Sequence, residues 1–300
     1  MAVTILVNPN SGKAKAQAVA DQLMQGLGAR GIESRTRSTF DTVDWESELR
    51  GTRALVVVGG DGTVNRMLDV CSRAGVPIYH YPAGNQNLFA RACRHPRNVT
   101  AALDSIESNQ RATLDLGAVA RISQLPASRL FALMVSVGSD AAVIERLASI
   151  PRKGGGHWHY AKPVLAEAGD ALRVPRATPL RVWVDGKKLA DDAGWLVVAA
   201  NPPYALGLDP CAPIHQPADG QLDIVFFPMR YRLAMLLWMA RCMLGSALQH
   251  PAAVHGRGKA VVVEGEGPWQ LDGEAGGRLV PGDRLRIECL DRPITYLKVN

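Results

Sequence analysis

The stretch "ALVVVGGDGTVNRML", residues 54–68, restricts the fold more than any other part of the chain. Its apolar run reads as a strand, its glycines as a turn, and the residues after Thr63 as a helix reaching Ala74. Gly59, Gly60 and Gly62 would let the backbone approach a phosphate chain closely, with the positive end of the helix directed at its charge. An aspartate among phosphate-facing amides is electrostatically out of place unless a cation accompanies it. Asp61 therefore points to magnesium, or to a water or lysine beside the phosphates. The tetrapeptide "GDGT" alone fits equally well as a tight turn in which Asp61 caps the helix.

Three common nucleotide loops are excluded. A dinucleotide-binding turn needs a third glycine where Asn65 stands and an acid after the next strand, which "PIYHYPAGN" does not supply. A P-loop would need a glycine in place of Val7 and a hydroxyl in place of Ala14 in "VNPNSGKA". The H-R-D and D-F-G segments of protein kinases do not occur.

The neighbouring segments place this turn in an alternating series. "VTILVN" reads as a strand, and "KAKAQAVADQLMQGLGARG" as a helix with Val19, Leu23 and Leu27 on one face. The strands "IESRTRST" and "PIYHYP" and the helical stretches "NLFARACR" and "VTAALDSIESN" continue the pattern. Such a βαβα order packs as a parallel sheet covered by helices. From about Arg111 strand-like runs dominate: "ATLDLGAVA", "LFALMVSVG", "LRVWVDGKKLADD", "WLVVAANP", "LDIVFF", "AVVVEG" and "RLRIECL". Asp185-Gly186 marks a hairpin. The predicted organisation is an α/β domain over 1–118 followed by a β-rich domain from 119 onward.

A chain of 300 residues, 47% of them hydrophobic, has enough apolar material for two cores. Five scattered cysteines without a CxxC pair suggest neither a disulfide framework nor a zinc site, and point to a reducing cytoplasm. The charge of +6 suits anionic partners, but dispersed basic residues and 6% aromatics give no nucleic-acid signature. The start of the sequence has no basic region ahead of a long apolar run, so no secretion signal is expected. "LAMLLWMARCMLGSAL", residues 233–248, is interrupted by Arg241 and falls short of the ~20 apolar residues of a spanning helix. His157 and His159 have strand spacing for a metal pair but no third ligand, and are assigned no role.

"NPNSGK" at 8–13, "VVVGGDGTVN" at 56–65 and "PAGNQNLFAR" at 82–91, followed in order by "LDLGAV", "VSVGSDAAV", "PADGQLDI" and "LDGE", resemble the diacylglycerol kinase catalytic family of lipid kinases. The late "LDGE" and "PADGQLDI" favour this branch over an NAD kinase. The resemblance implies an N-terminal three-layer α/β domain of NAD kinase/diacylglycerol kinase type, a β-sandwich-like domain over 119–290, a return of 291–300 to the first domain, and ATP in the cleft between the two. It implies nucleotide contacts from Asn8, Thr39, Gly59, Gly60, Asp61, Gly62, Thr63, Val64, Asn65 and Asn85, with Mg2+ accompanying ATP. Glu274 takes the place of the general base, Asp61 and Asp272 complete the catalytic set, and Asp272 also shapes the turn. A structural metal is implied at the Asp219 carboxylate and the carbonyls of Gln216 and Gln221. Where the family carries an acid linked to the GGDGT aspartate and the lysine matching Lys13, this chain has Leu88, which leaves two arrangements: Lys13 paired with Asp61 directly, or no such charge network.

The activity implied is transfer of the γ-phosphate of ATP to a lipid hydroxyl, diacylglycerol first, with a sphingoid base, phosphatidylglycerol or a polyol as alternatives. A regulator that binds nucleotide or lipid without catalysis is the reading from a different class. The substrate would be met at a membrane surface by a cytoplasmic, peripherally associated protein, with a homodimer as one expected state. The segment 233–248 reads first as a core-packed helix; in the alternative, membrane-contacting reading, Met235, Leu236, Trp238, Met239, Met243 and Leu244 would line an acyl pocket. Arg230, Arg232 and Arg241 would face headgroups.

Overall fold

The computed structural model describes residues 1–149, 161–202, 211, 214–228, 231–243 and 253–299, with backbone only at 13, 14, 161 and 238–243. His157, His159, Arg230 and Leu244 lie outside the described residues, as do the side chains of Lys13, Trp238, Met239, Arg241 and Met243. The contacts divide the chain into two units, Met1–Asp115 with Asp291–Asn300 and Leu116–Leu290.

The first unit alternates β1 (Val3–Val7), α1 (Ala16–Ala29), β2 (Ser34–Ser38), α2 (Trp45–Leu49), β3 (Ala54–Gly59), α3 (Asp61–Ala74), β4 (Ile78–Pro82), α4 (Leu88–Ala92), α5 (Val99–Ser108) and β5 (Arg111–Leu114). The second runs through β6 (Gly117–Arg121), β7 (Arg129–Phe131), β8 (Met134–Val137), α6 (Ser139–Ala148), α7 (Ala161–Arg173), β9 (Leu180–Val184), β10 (Lys187–Ala193), β11 (Trp195–Ala199), β12 (Leu222–Phe227), α8 (Arg232–Met243), β13 (Val254–Gly258), β14 (Ala260–Glu264), β15 (Gly267–Leu271), β16 (Glu274–Leu279) and β17 (Arg284–Cys289). The last strand, β18 (Ile294–Leu297), returns to the first unit.

In the first unit the sheet order is β2-β1-β3-β4-β18-β5, and β2, β1, β3 and β4 are mutually parallel. β18 runs parallel to β4 and antiparallel to β5. Val3, Ile5, Val7, Val56 and Val58 pack with Leu23 and Leu27 of α1 and Leu103 and Ile106 of α5. Leu6, Leu55 and Val57, which alternate with them, are equally buried. A parallel strand covered on both faces has no polar side to show, which explains the unbroken run "ALVVV".

The second unit is a sandwich of two sheets, β10-β9-β14-β17-β6-β7 and β13-β12-β11-β8-β15-β16. Val119, Val182, Val263 and Ile287 from the first meet Val135, Val198, Ile224 and Leu271 from the second in one apolar core. The outer face of the second sheet is covered as well: Trp195, Val197 and Phe227 pack with Met235 of α8. Met235 and Leu236 are buried and Arg232 pairs with Glu167, so these three do not form the acyl pocket and headgroup contacts expected of them.

Two runs read as single strands are each divided. "ATLDLGAVA" changes sheet and unit at Asp115-Leu116, and "LFALMVSVG" changes sheet at Ala132-Leu133. Apolar periodicity cannot reveal such a crossing, because each run stays strand-like in composition on both sides of the break. The Asp185-Gly186 hairpin is present between β9 and β10, with φ of 47° and 78° at its two turn residues.

Candidate active site

The four parallel strands end level with one another. Val7 of β1 is in register with Ser38 of β2 and Val58 of β3, and Gly59 of β3 with Pro82 of β4. Asn8, Thr39, Gly59 to Asn65 and Asn85 therefore share the carboxyl edge of the sheet, where open α/β folds bind ligands. Asn8 Nδ2 donates to Thr63 Oγ1 at 3.3 Å, and the Thr39 N–H donates to the Val7 carbonyl at 2.9 Å. Asn85 is exposed. Val64 is fully buried, so only its backbone is open to a nucleotide. The Asn65 Nδ2 is buried without a hydrogen-bond partner.

α3 begins at Asp61, two residues earlier than the sequence suggested, because Gly60 takes the extended N-cap position. The N–H groups of Thr63 and Val64 turn back to the Gly60 carbonyl. Of the amides that a helix start leaves without intrahelical partners, those of Asp61 and Gly62 remain for a ligand. The bare backbone of this loop is a packing requirement as well. A Cβ on Gly84 would lie 2.7 Å from the Gly60 Cα, and one on Gly59 would lie 2.9 Å from Thr63 Oγ1. Asn87, at φ 50°, clamps the facing loop: Oδ1 accepts the Gly84 N–H at 2.8 Å and Nδ2 donates to the Gly84 carbonyl at 2.7 Å.

Asp61 does not cap its own helix. Its Oδ1 accepts the Phe89 N–H at 3.0 Å, in the first turn of α4, so one carboxylate oxygen is fixed by the segment in which Leu88 replaces the family's acid. Leu88 itself is buried. Beneath the loop, His80 Nε2 lies 3.0 Å from the Gly59 carbonyl, which makes it the donor. Burial lowers the His80 pKa and outweighs the attraction of Asp61, so the ring is neutral.

In the second unit, Asp272 and Gly273 form the turn between β15 and β16, at φ 47° and 80°. The Asp272 carboxylate accepts three backbone amides, from Ala132 at 2.8 Å, Leu133 at 2.9 Å and Met134 at 2.8 Å. These lie where the chain crosses from one sheet to the other, so Asp272 secures the crossing and the turn together. A carboxylate so committed is a positioning group, which corrects its place in the catalytic set. From the other side, the Gly273 N–H donates to Gln270 Oε1 at 2.9 Å, and Gln270 Nε2 donates to Ser136 Oγ at 2.8 Å. Ser136 Oγ in turn donates to Asp140, which also accepts the Trp195 Nε1–H at 2.7 Å. Sequence reasoning quoted "VSVGSDAAV" only as a landmark and missed this buried network. Glu274 follows the turn, half exposed, with Arg129 at 3.2 Å.

The implied metal ligands do not fit a resident ion. Asp219 Oδ1 accepts the Gln221 N–H at 3.1 Å and its other oxygen is paired with Arg257, which also reaches the buried Asp223 at 2.8 Å. His215 Nδ1 lies 2.6 Å from the second oxygen of Asp223. A guanidinium already neutralises the carboxylate that the metal would need. Gln216 is exposed.

Residues 2–119 match the diacylglycerol kinase catalytic domain, and residues 133–290 the YegS C-terminal NAD kinase beta sandwich-like domain. A diacylglycerol kinase of Mycobacterium tuberculosis is 29% identical over 269 residues, 87% of this chain and 84% of that protein. One of Bacillus subtilis is 25% identical over 302 residues, 94% and 92% of the two chains. Among solved structures, a diacylglycerol kinase from Bacillus anthracis str. Sterne superposes with a TM-score of 0.67 at 17% identity, covering 99% of this chain and 96% of that one. An NAD kinase from Archaeoglobus fulgidus in complex with ATP has a TM-score of 0.52 at 14% identity, covering 100% and 94%. With its catalytic-domain match followed by the sandwich match, and with full-length relatives of the same kind, the chain belongs to the diacylglycerol kinase-like family of lipid kinases.

Proposed function

We propose that this protein transfers the γ-phosphoryl group of ATP to the free hydroxyl of diacylglycerol, giving phosphatidic acid and ADP. The observation that carries the reading is the level carboxyl edge of the first sheet, where Asn8, Thr39, the Gly59–Asn65 loop and Asn85 collect around an open helix start. Backbone amides of Asp61 and Gly62 would bind phosphate oxygens, and the absence of side chains at Gly59, Gly60 and Gly84 would let the phosphate chain lie close. Asp61 keeps one oxygen outside its bond to Phe89 and suits a divalent cation that arrives with the nucleotide. That cation, Mg2+ in this reading, would neutralise the charge of the phosphates during transfer.

Glu274 would accept the proton of the acceptor hydroxyl as its oxygen attacks the γ-phosphorus and the bond to ADP breaks. The Arg129 pair is half exposed and therefore weak, so a substrate hydroxyl competes readily for the carboxylate. Asp272 and Gln270 would hold the turn so that this carboxylate does not wander.

The test is phosphoryl transfer from labelled ATP to a lipid panel in mixed micelles, with diacylglycerol beside a sphingoid base and phosphatidylglycerol. Glu274→Gln should lower kcat by about 10²- to 10⁴-fold with an unchanged thermal midpoint, and Asp61→Asn should abolish magnesium-dependent transfer. ATP binding without transfer to any acceptor would overturn the reading in favour of a non-catalytic regulator. Transfer to another acceptor in preference would keep the kinase and replace its substrate.

A further inference from the structure

α7 is inverted with respect to an ordinary surface helix. Its buried side carries charge: Glu167, fully buried, pairs with Arg232 at 2.6 Å and with Arg146 at 3.4 Å, and Asp170 also pairs with Arg146. Its outer side carries hydrocarbon. Leu165 is 71% exposed and Leu172 70%, with Val164 and Val174 also exposed. At helical spacing Leu165 and Leu172 fall within roughly 20° of one another and roughly 150° from Glu167. A helix that puts ion pairs inward and leucines outward gains nothing from those leucines in the free protein.

Lys162 and Arg173 flank this apolar stripe, exposed, and neither closes an ion pair among the described residues. Arg176 stands just past the helix, its guanidinium 5.4 Å from the exposed Tyr231 ring. Of the acids on this helix, Glu167 is buried and Asp170, half-exposed at the edge, is engaged by Arg146, so apolar and positive groups dominate the outer face. We infer that the outer face of α7 is a membrane-docking surface that seats Leu165 and Leu172 in the headgroup region of a bilayer rich in anionic lipid. The apolar stripe supplies partition and the basic flank selects charge. A second copy is the poorer occupant, because a two-fold pairing of this face would bring Lys162 and Arg173 against their own equivalents. The choice of a bilayer over another apolar, anionic surface rests on the lipid-kinase reading.

The full-length protein, without nucleotide, is sedimented with phosphatidylcholine vesicles, with or without about 30% phosphatidylglycerol. The wild type should partition onto the anionic vesicles. Leu165→Ser/Leu172→Ser should reduce that partition by about tenfold or more, and Lys162→Gln/Arg173→Gln by about fivefold or more. Both should keep the wild-type thermal midpoint, since the substituted side chains are solvent-facing, and both should phosphorylate a monomeric short-chain diacylglycerol as the wild type does. Equal binding by the leucine variant, or no binding by the wild type, overturns the inference. So does a dimer that the leucine variant dissociates without altering vesicle partition, which would give the face to a second copy. Absence of transfer to every lipid, with partition intact, would sink the kinase reading alone.

Discussion

The loop after β3 offers backbone to its ligand, whereas the turn after β15 offers one carboxylate side chain. The first region works by leaving atoms out: Gly60 and Gly84 touch because neither has a Cβ, and Asn87 braces the gap from the side. The second works by putting polar atoms in: buried Asp272 holds three backbone amides, buried Gln270, Ser136 and Asp140 are bonded in sequence behind the turn, and Glu274 emerges beside them. A cradle of amides fails when volume is added to it, and a polar scaffold fails when a partner is removed from it.

Removal from the scaffold should have the largest effect. Asp272→Ala strands three buried amides and should cost about 4 kcal/mol of stability, measured by urea unfolding. Asp272→Asn keeps the size of the side chain and one acceptor, and should cost less. An alanine variant as stable as the wild type would refute the positioning role.

Acid should act next, in the first unit through His95. His95 Nδ1 accepts the His80 N–H at 3.1 Å and its Nε2 donates to the Leu297 carbonyl at 2.7 Å, joining β4 to β18. Burial lowers its pKa to about 4, below the 6.5 of an unfolded histidine. The unfolded chain thus binds more protons across that interval, and stability contributed by neutral His95 is complete above pH 6.5 and falls as pH drops toward 4. The loss should reach about 3 kcal/mol at most. Unfolding at pH 7 and pH 5 compared between wild type and His95→Gln would reveal it, and equal pH dependence in the two would refute it.

Volume added to the cradle should come third. Gly84→Ala forces a methyl into the Gly60 backbone, with a cost of about 2 kcal/mol and a weakened ATP affinity. Unchanged nucleotide binding by calorimetry would separate this loop from the phosphate site. The smallest effect expected is none: a chelator should leave the thermal midpoint of the nucleotide-free protein where it was, because Arg257 occupies the carboxylate that a structural ion would require. A midpoint that falls on chelation and recovers with Mg2+ would restore the metal.

The same contrast explains what could be read in advance. Asn8 and the glycine loop lie immediately after apolar runs and Thr39 after the alternating strand "IESRTRS", so strand prediction alone delivers them to one sheet edge. The breaks at Asp115-Leu116 and Ala132-Leu133 were invisible, since the partners that compel the second, Asp272 and Asn201, lie far along the chain. Asn87, with a positive φ, looks like any polar loop residue until Gly84 is beside it. The engagement of Asp219 was hidden for a similar reason: Arg257 is 38 positions away, and only the β12–β13 pairing brings the two together.

β18 lies between β4 and β5, and Arg292 just ahead of it donates to the Asp69 carboxylate on α3 at 2.7 Å. On the ribosome, β4 must therefore wait with an open edge through the synthesis of the entire sandwich before its neighbour arrives. The α/β unit begins first and is completed last. A ribosome stalled anywhere short of the final strand would hold a product whose sandwich could be whole while the glycine loop still lacked part of the sheet that supports it.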